Sequence, residues 1–189
     1  AFRLQDLRTL FLVVFLTTFG FSIFTQFLQV YLIQKFSFTQ TRIGDYFAYI
    51  GLWIAFTQGF VTRRLTKKIA PQKVLNIILF VLAASLAVIL FPSSVYMLYM
   101  VTPFVALSQG IFAPNIQTLV SNQAGENAQG EILGINQSVQ SLAQAMPPIV
   151  AGFIVSIDMH LPIITASVFT FAAGMVFVLF YRRHTTSNS

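Results

Sequence analysis

The sequence predicts an all-α membrane protein of six transmembrane helices, and three observations predict it. Only 8% of the 189 residues are charged and 56% are hydrophobic. A soluble domain carries roughly 25% charged residues, so too few ionisable groups remain here to cover a water-facing surface. Six stretches are long and apolar enough to cross a bilayer, which takes about 20 residues as a helix. The basic residues are also sorted. Arg3, Arg8, Arg63, Arg64, Lys67, Lys68, Lys73, Arg182 and Arg183 fall on one side of a six-crossing arrangement, and only Lys35 and Arg42 on the other. That bias puts the richer side, and with it both termini, in the cytoplasm. An odd number of crossings would mix the two sets.

The spans run from Leu7 to Ile33, Ile43 to Val61, Lys73 to Phe91, Val95 to Asn122, Gly130 to Ile157 and Pro162 to Tyr181. Their apolar runs are continuous, unlike the alternating segments of about ten residues in membrane barrels. The connections are short, so residues 1–189 read as a single six-helix domain. Pro71 and Pro92 lie in connections, and Pro162 sits at a helix start, where its missing N–H costs nothing. Pro103, Pro114, Pro147 and Pro148 lie inside spans four and five. There they should bend the helices, with neighbours re-satisfying the freed backbone groups. The chain opens at Ala1 with no short hydrophobic leader and cleavage site, so residue 1 reads as internal to a longer product. The absence of Cys excludes disulfides and Cys-based metal sites. Topology accounts for the net charge of +6 better than a nucleic-acid partner does, and nothing calls for a cofactor.

The spans differ in kind. Span one carries Thr18, Ser22, Thr25, Gln26 and Gln29 at helical spacing on one face. Span four carries Ser108, Asn115, Thr118 and Asn122 on one face, with Gln109 and Gln117 offset, and span five carries Asn136, Gln137, Gln140, Ser141 and Gln144. Amides in hydrocarbon are expensive unless hydrogen-bonded, so these faces point at each other across dry seams or at a wet cavity. Three separate polar stripes favour the cavity, lined by neutral amides that bind a solute without a fixed charge. Gln26, Gln29 and Asn115 are the leading solute-facing candidates, followed by Ser22 and Gln140.

Spans two and five carry small residues in register: Gly44, Ala48, Gly51, Ala55 and Gly59 in the first, Gly130, Gly134, Ser138, Ser141, Ala145 and Gly152 in the second. Such stripes let helix backbones approach closely, either inside this unit or against a second one. Spans three and six are plain and apolar, as lipid-facing supports would be. Spans one to three and four to six thus each open with a polar-striped helix and close with a plain one. That is the hydropathy pattern of two three-helix inverted repeats. Of the acids, Asp6, Glu126, Glu131 and Asp158 fall near membrane surfaces, and Glu126 and Glu131 could pair with the basic cluster. Asp45 reads as a partner for Arg42 one turn back. His160 and His184 lie outside the spans. No nucleophile–His pair can therefore form at membrane depth, no metal site is indicated, and an enzyme is not expected.

Several local features bear a family likeness. They are Phe38-Thr39 followed by Ile43-Gly44 entering span two; the run from Gly59 through Arg63, Arg64, Lys67 and Lys68 leaving it; Gly110 and Pro114 in span four; and Gly130, Gly134, Pro147, Pro148 and Gly152 in span five. On these the chain resembles the C-terminal half of a major facilitator superfamily transporter, most closely the twelve-span drug:proton antiporter branch that includes the tetracycline efflux proteins. The basic run resembles the family's cytoplasmic loop motif, but Arg63 stands at its acidic position and Thr66 at a Gly, so the gating salt bridge does not carry over. The resemblance implies half of a twelve-helix fold. The first and fourth helices of the half would line a cavity, the second and fifth (Gly44, Ala48, Gly51, Ala55, Gly130, Gly134, Ser138) would contact the opposite half, and the third and sixth would lie outside. It further implies proton-coupled efflux of a drug or metabolite by alternating access in a bacterial inner membrane. The partners would be a small-molecule solute, the lipid bilayer and a missing N-terminal half that carries the coupling acid. The alternative is a self-contained six-helix channel or homo-oligomeric transporter. Ala113-Pro114-Asn115 lacks the residue order of water channels and has no second copy, and the sequence upstream of Ala1 discriminates the two.

Overall fold

The computed structural model describes residues 2–123, 128–149 and 158–181, and the elements among them are helical. They are α1 (Phe2–Phe36), α2 (Gln40–Phe56), α3 (Arg63–Thr66), α4 (Pro71–Val88), α5 (Val95–Gln123), α6 (Gln129–Ala145) and α7 (Leu161–Phe180), with a π-helical segment, Thr57–Thr62, joining α2 to α3. Among the described residues four helices are long and apolar enough to cross a membrane: α1 from Asp6 onward, α4, α5 and α7.

Two expected boundaries move for identifiable reasons. The segment from Gly59 to Thr66, expected as a loop leaving span two at Val61, is still helical. Arg63 and Arg64 therefore sit on a helix, and their charge favours its C-terminal, electronegative end. Span five was expected to run to Ile157 with a bend at its prolines, and the break is complete: α6 ends at Ala145, the chain bends at Met146, and helix resumes over 147–149. Pro147 and Pro148 supply no N–H to the preceding turn, which interrupts the helix there. Residues 150–157, including Gly152, lie outside the described residues, as do Glu126, Arg182, Arg183 and His184.

The other two interior prolines do not break their helix. Pro103 cannot donate to Tyr99 O, nor Pro114 to Gly110 O. Both carbonyls are satisfied from span two: Tyr49 Oη donates to Tyr99 O at 3.1 Å and Thr62 Oγ1 to Gly110 O at 3.0 Å. The expectation of outside help for these groups thus acquires named donors. Gly110 makes the second bond possible, because a Cβ there would meet Thr57 Cβ at 2.8 Å.

Helix α1 packs on α7 and α6; α4 packs on α5 and α7; α2 and the π segment pack on α5, which also touches α1 and α6. Two core clusters stack along α1, α4, α5 and α7. One, around Leu10, Leu75, Ile116 and Phe177, lies toward the end bearing the Arg63–Lys73 basic run. The other, around Leu28, Tyr31, Tyr46 and Leu86, lies toward the opposite end. In a lipid solvent such packing is held by dispersion and close fit rather than by the hydrophobic effect. The close fit is visible at Gly20, whose added Cβ would lie 2.9 Å from Ala166 O, and at Gly174, where it would lie 3.1 Å from the Phe80 ring. Helices α4 and α7 turn apolar residues outward as well, among them Ile77, Val81, Val168 and Phe171, which suits the supporting role read from their sequence.

Hydrogen bonds tie each end. At the basic end Gln123 Nε2 donates to Tyr181 Oη. At the other end Lys35 Nζ donates to Leu90 O and to Tyr31 Oη, which itself donates to Ile89 O. Helix α1 closes there through Ser37, a left-handed residue (φ 54°), with the Ser37 N–H on Ile33 O and the Phe38 N–H on Leu32 O. The expected pairing of Asp45 with Arg42 does not form. Among the described residues the close acid–base contact is His160 Nδ1 with Asp158 Oδ1 at 2.8 Å, an ion pair when the ring is protonated, and the Arg42 backbone N–H is met by Thr39 Oγ1, the N-cap of α2. One-turn spacing on an exposed first turn leaves both charges better solvated apart.

Candidate functional site

A cleft of about 1390 Å³ runs between α1, span two, α5 and α6. At the basic end its walls include Arg63, Thr66, Pro71 and Asn122, and at its inner end Gln26, Gln109 and Gln144. Gln109 is the middle residue of α5, and a helix rises 1.5 Å per residue, so the cleft reaches half the depth of the bundle. Beyond it the aromatic-rich core of Phe24, Tyr31, Phe38 and Tyr46 fills the opposite end. A smaller cavity of about 240 Å³ adjoins the inner end, shares Phe21 and Thr25 with the cleft, and is otherwise walled mainly by apolar groups such as Phe24, Phe47, Ile50 and Ile54.

The polar lining divides into satisfied and free groups. Gln26 Nε2 donates to Ser22 Oγ at 2.9 Å, and the hydroxyls of Thr25, Thr62, Thr66 and Thr118 donate to backbone carbonyls. Gln117 Oε1 accepts from Asn136 Nδ2 at 3.0 Å, which aims the free Gln117 amino group and ties α5 to α6. Thr17 Oγ1 and Gln109 Oε1 are buried without a protein partner and belong to cleft-lining residues. Buried polar atoms are nearly always hydrogen-bonded, so water or a solute in the cleft is what remains to satisfy them. Among the described residues Arg63, itself exposed, is the one charged side chain in the lining.

Of the leading candidates, Ser22, Gln26 and Gln140 line the cleft. Gln29 does not; it is exposed beyond the inner end, its Nε2 on Gln26 O. Asn115 does not either. It is fully buried, its Nδ2 donating to Ile111 O at 2.7 Å. Two residues along a helix turn a side chain by about 200°, so Asn115 faces away from Ala113 and Gln117, which do line the cleft. Ser108 likewise turns inward, bonded to Phe104 O. Span four therefore presents its offset stripe, Gln109–Ala113–Gln117, together with Thr118 and Asn122. Thr17 and Gln58 were not singled out in the sequence; Gln109 and Gln117 were read only as offset from the polar face of span four, and Arg63 as part of a cytoplasmic loop motif.

The small stripes lie elsewhere. Gly44, Gly51, Gly59, Gly130 and Gly134 have nothing within 4 Å of an added Cβ, and Ala48, Ala55 and Ser138 are exposed. Arg64, Lys67 and Lys68 are exposed outside the cleft.

A bundle of apolar helices with an amide-lined recess reaching its midplane is the architecture of a membrane transport protein, and the chain belongs to the Major Facilitator Superfamily, whose family model matches residues 10–189. Similar proteins include mouse major facilitator superfamily domain-containing protein 10, 32% identical over 79% of this chain and 32% of its own length. Bacillus subtilis multidrug resistance protein 2 is 25% identical over 82% of this chain and 39% of its own length, and multidrug resistance protein 1 is 27% identical over 91% and 44%. The chain thus spans between about a third and under a half of the length of these relatives. The fold matches that of the human organic anion transporter MFSD10 (TETRAN) with TM-score 0.85 at 24% identity, covering 92% of this chain and 41% of that one. It also matches the peptide transporter POT with TM-score 0.81 at 19% identity, covering 92% and 37%.

Proposed function

We propose that the chain is the C-terminal six-helix half of a twelve-helix secondary transporter, and that its cleft is one wall of a solute pathway worked by alternating access. The carrying observation is a polar cleft that reaches the midplane from one end only and is built from four helical segments. Its mouth lies at the basic end, the cytoplasmic one by the charge rule, so this half stands in an inward-open arrangement. The packing supports an inverted repeat of six crossings. Exchanging span one with four, two with five and three with six converts the α1–α7 contact into α4–α5 and α1–α6 into α2–α5, both present, and maps α4–α7 and α1–α5 onto themselves. Spans one and four run in opposite directions, so the relation inverts topology. The open glycine faces of spans two and five support contact with an opposite half.

By likeness to the two Bacillus multidrug resistance proteins and the drug:proton antiporter branch, the complete protein exports a drug or metabolite against a proton gradient across a bacterial inner membrane. Among the described residues no carboxylate lines the cleft, which is consistent with the resemblance-based expectation that the other half carries the coupling acid. The native lack of Cys in this chain gives the test. In the complete transporter, depleted of any other Cys, single replacements at Gln26, Gln117 and Gln140 should react with a membrane-impermeant maleimide from the basic side, and transported solute should protect them. Asn115→Cys should stay unreactive. Unreactive cleft positions, or labelling that solute never alters, would overturn the reading.

A further inference from the structure

The smaller cavity calls for a different occupant from the cleft. It holds about 240 Å³ between α1, span two and α5, and Phe21, Phe24, Phe47, Ile50, Ile54 and Ala106 make most of its wall. Among the described residues that wall carries the hydroxyls of Thr25 and Thr102, and both are spent: Thr25 Oγ1 donates to Ser22 O and Thr102 Oγ1 to Leu98 O. An apolar cavity without free polar groups stays dry, and one of about 150 Å³ already accepts benzene. Water gains little by entering such a space, whereas an apolar group gains by leaving water for it. The cavity adjoins the inner end of the cleft, where Phe21 and Thr25 line both. An unused acceptor stands at that junction. Gln109 Oε1 is buried without a protein partner. Gln109 lines the cleft on the same face of α5 as Val105 and Ala106, which line the cavity one turn further in.

We infer that this cavity is the terminal subsite of the pathway and takes an aromatic ring of the solute, while Gln109 Oε1 accepts a hydrogen bond from an N–H or O–H group lying about one helical turn, roughly 5 Å, from that ring. The solute class is then a compact arene that carries a hydrogen-bond donor. This rests on the transport reading and deepens it. The phenyl rings of Phe21, Phe24 and Phe47 offer edges and faces to an inserted ring, and Phe21 and Phe24 already stand tilted with centroids 5.8 Å apart. An amide oxygen can only accept. A solute without a donor would leave it buried and unpaired, and that penalty discriminates between otherwise equal ligands.

The test measures binding of three probes to the complete, purified transporter: N-naphthylmethylacetamide, the ester naphthylmethyl acetate, which lacks the N–H, and the larger N-anthracenylmethylacetamide. The naphthyl amide should bind about 10-fold or more tighter than the ester. Gln109→Met should bring the two within about twofold of each other by weakening the amide. Ala106→Leu fills the cavity and should weaken the naphthyl amide by about 10-fold or more. Because Ala106 is fully buried and Leu there can also disturb packing, a second variant acts in the opposite sense. Phe47→Ala enlarges the cavity and should shift preference toward the anthracenyl amide by about fivefold or more. Val168→Ala, on the outward face of α7, should change no ratio. Equal binding of amide and ester would mean that water satisfies Gln109 and would overturn the proposal. So would an unchanged anthracenyl-to-naphthyl ratio in Phe47→Ala, or no binding of any probe. Maleimide labelling reports on the cleft independently, so it can succeed where the ring subsite fails.

Discussion

At the scale of single residues, most of the short polar side chains buried in the bundle follow one pattern. A short side chain can bond back to the carbonyl one turn earlier and so can be buried in a helix seam. Ser85, Thr102, Ser108, Asn115 and Thr170 all do this. Gln58, Gln109, Gln140 and Gln144 line the cleft without such a bond. Counting polar residues by spacing alone therefore selected Asn115 where Gln109 and Gln117 were needed, and side-chain length was the missing signal. Removing the Asn136–Gln117 bond is the corresponding test. Asn136→Leu should leave the fold intact and raise the apparent KM for transported solute several-fold, whereas Asn115→Leu should lower thermal stability with little effect on KM.

A second prediction at this scale concerns Asp158, in the connection before α7. Its carboxylate accepts the His160 backbone N–H at 2.7 Å and the ring Nδ1 at 2.8 Å, and these bonds hold its carboxyl below the usual 3.8. A depressed carboxylate stabilises the fold above its unfolded pKa and loses that contribution as pH falls through the folded value. The melting-temperature difference between the native protein and Asp158→Asn should therefore shrink toward zero as pH falls below about 4.

Elements are positioned by where backbone meets backbone. Gly20 against Ala166 and Gly110 against Thr57 are contacts a methyl group would strain, while Gly51 and Gly134 face open space. Gly20→Val and Gly110→Val should each destabilise the complete protein by about 1–3 kcal/mol in reversible unfolding, the usual cost of overpacking. Gly51→Ala should leave this half unaffected. The proline positions allow a sharper test. Thr62→Val strands Gly110 O and should cost about 1 kcal/mol, within the range of hydrogen bonds between membrane helices. In a Pro114→Ala background residue 114 regains its own N–H for that carbonyl, so Thr62→Val should cost much less there. An unchanged cost in the double-mutant cycle would dissociate Thr62 from Pro114. Which helices bend was legible from the prolines. Which neighbour supplies the donors was not, because that depends on helix adjacency, and the apolar stretches are too alike to specify who packs on whom.

For the whole molecule, composition and the sorting of Lys and Arg were enough to read an all-helical membrane protein, and the fold matches the transporters it resembles. Surface character was harder to assign. An outward apolar side chain and an outward glycine look alike in sequence whether lipid or protein covers them. The charge of the cleft was illegible for a related reason: a basic run at a membrane surface reads as a topology signal, and only the continuation of helix through Thr57–Thr66 turns Arg63 toward the recess.

That continuation has a mechanical corollary. Span two and α5 are moored to each other at two points along their length, by hydroxyls that fill gaps left by proline, and neither mooring can slip one turn without stranding a carbonyl in a dry seam. If the pathway reopens on the far side as proposed, these two rods would travel together. Gln58 and Gln109 would then keep a fixed separation, as the jaws of a gauge do, and the deformation would be left to the seams around α1 and α6.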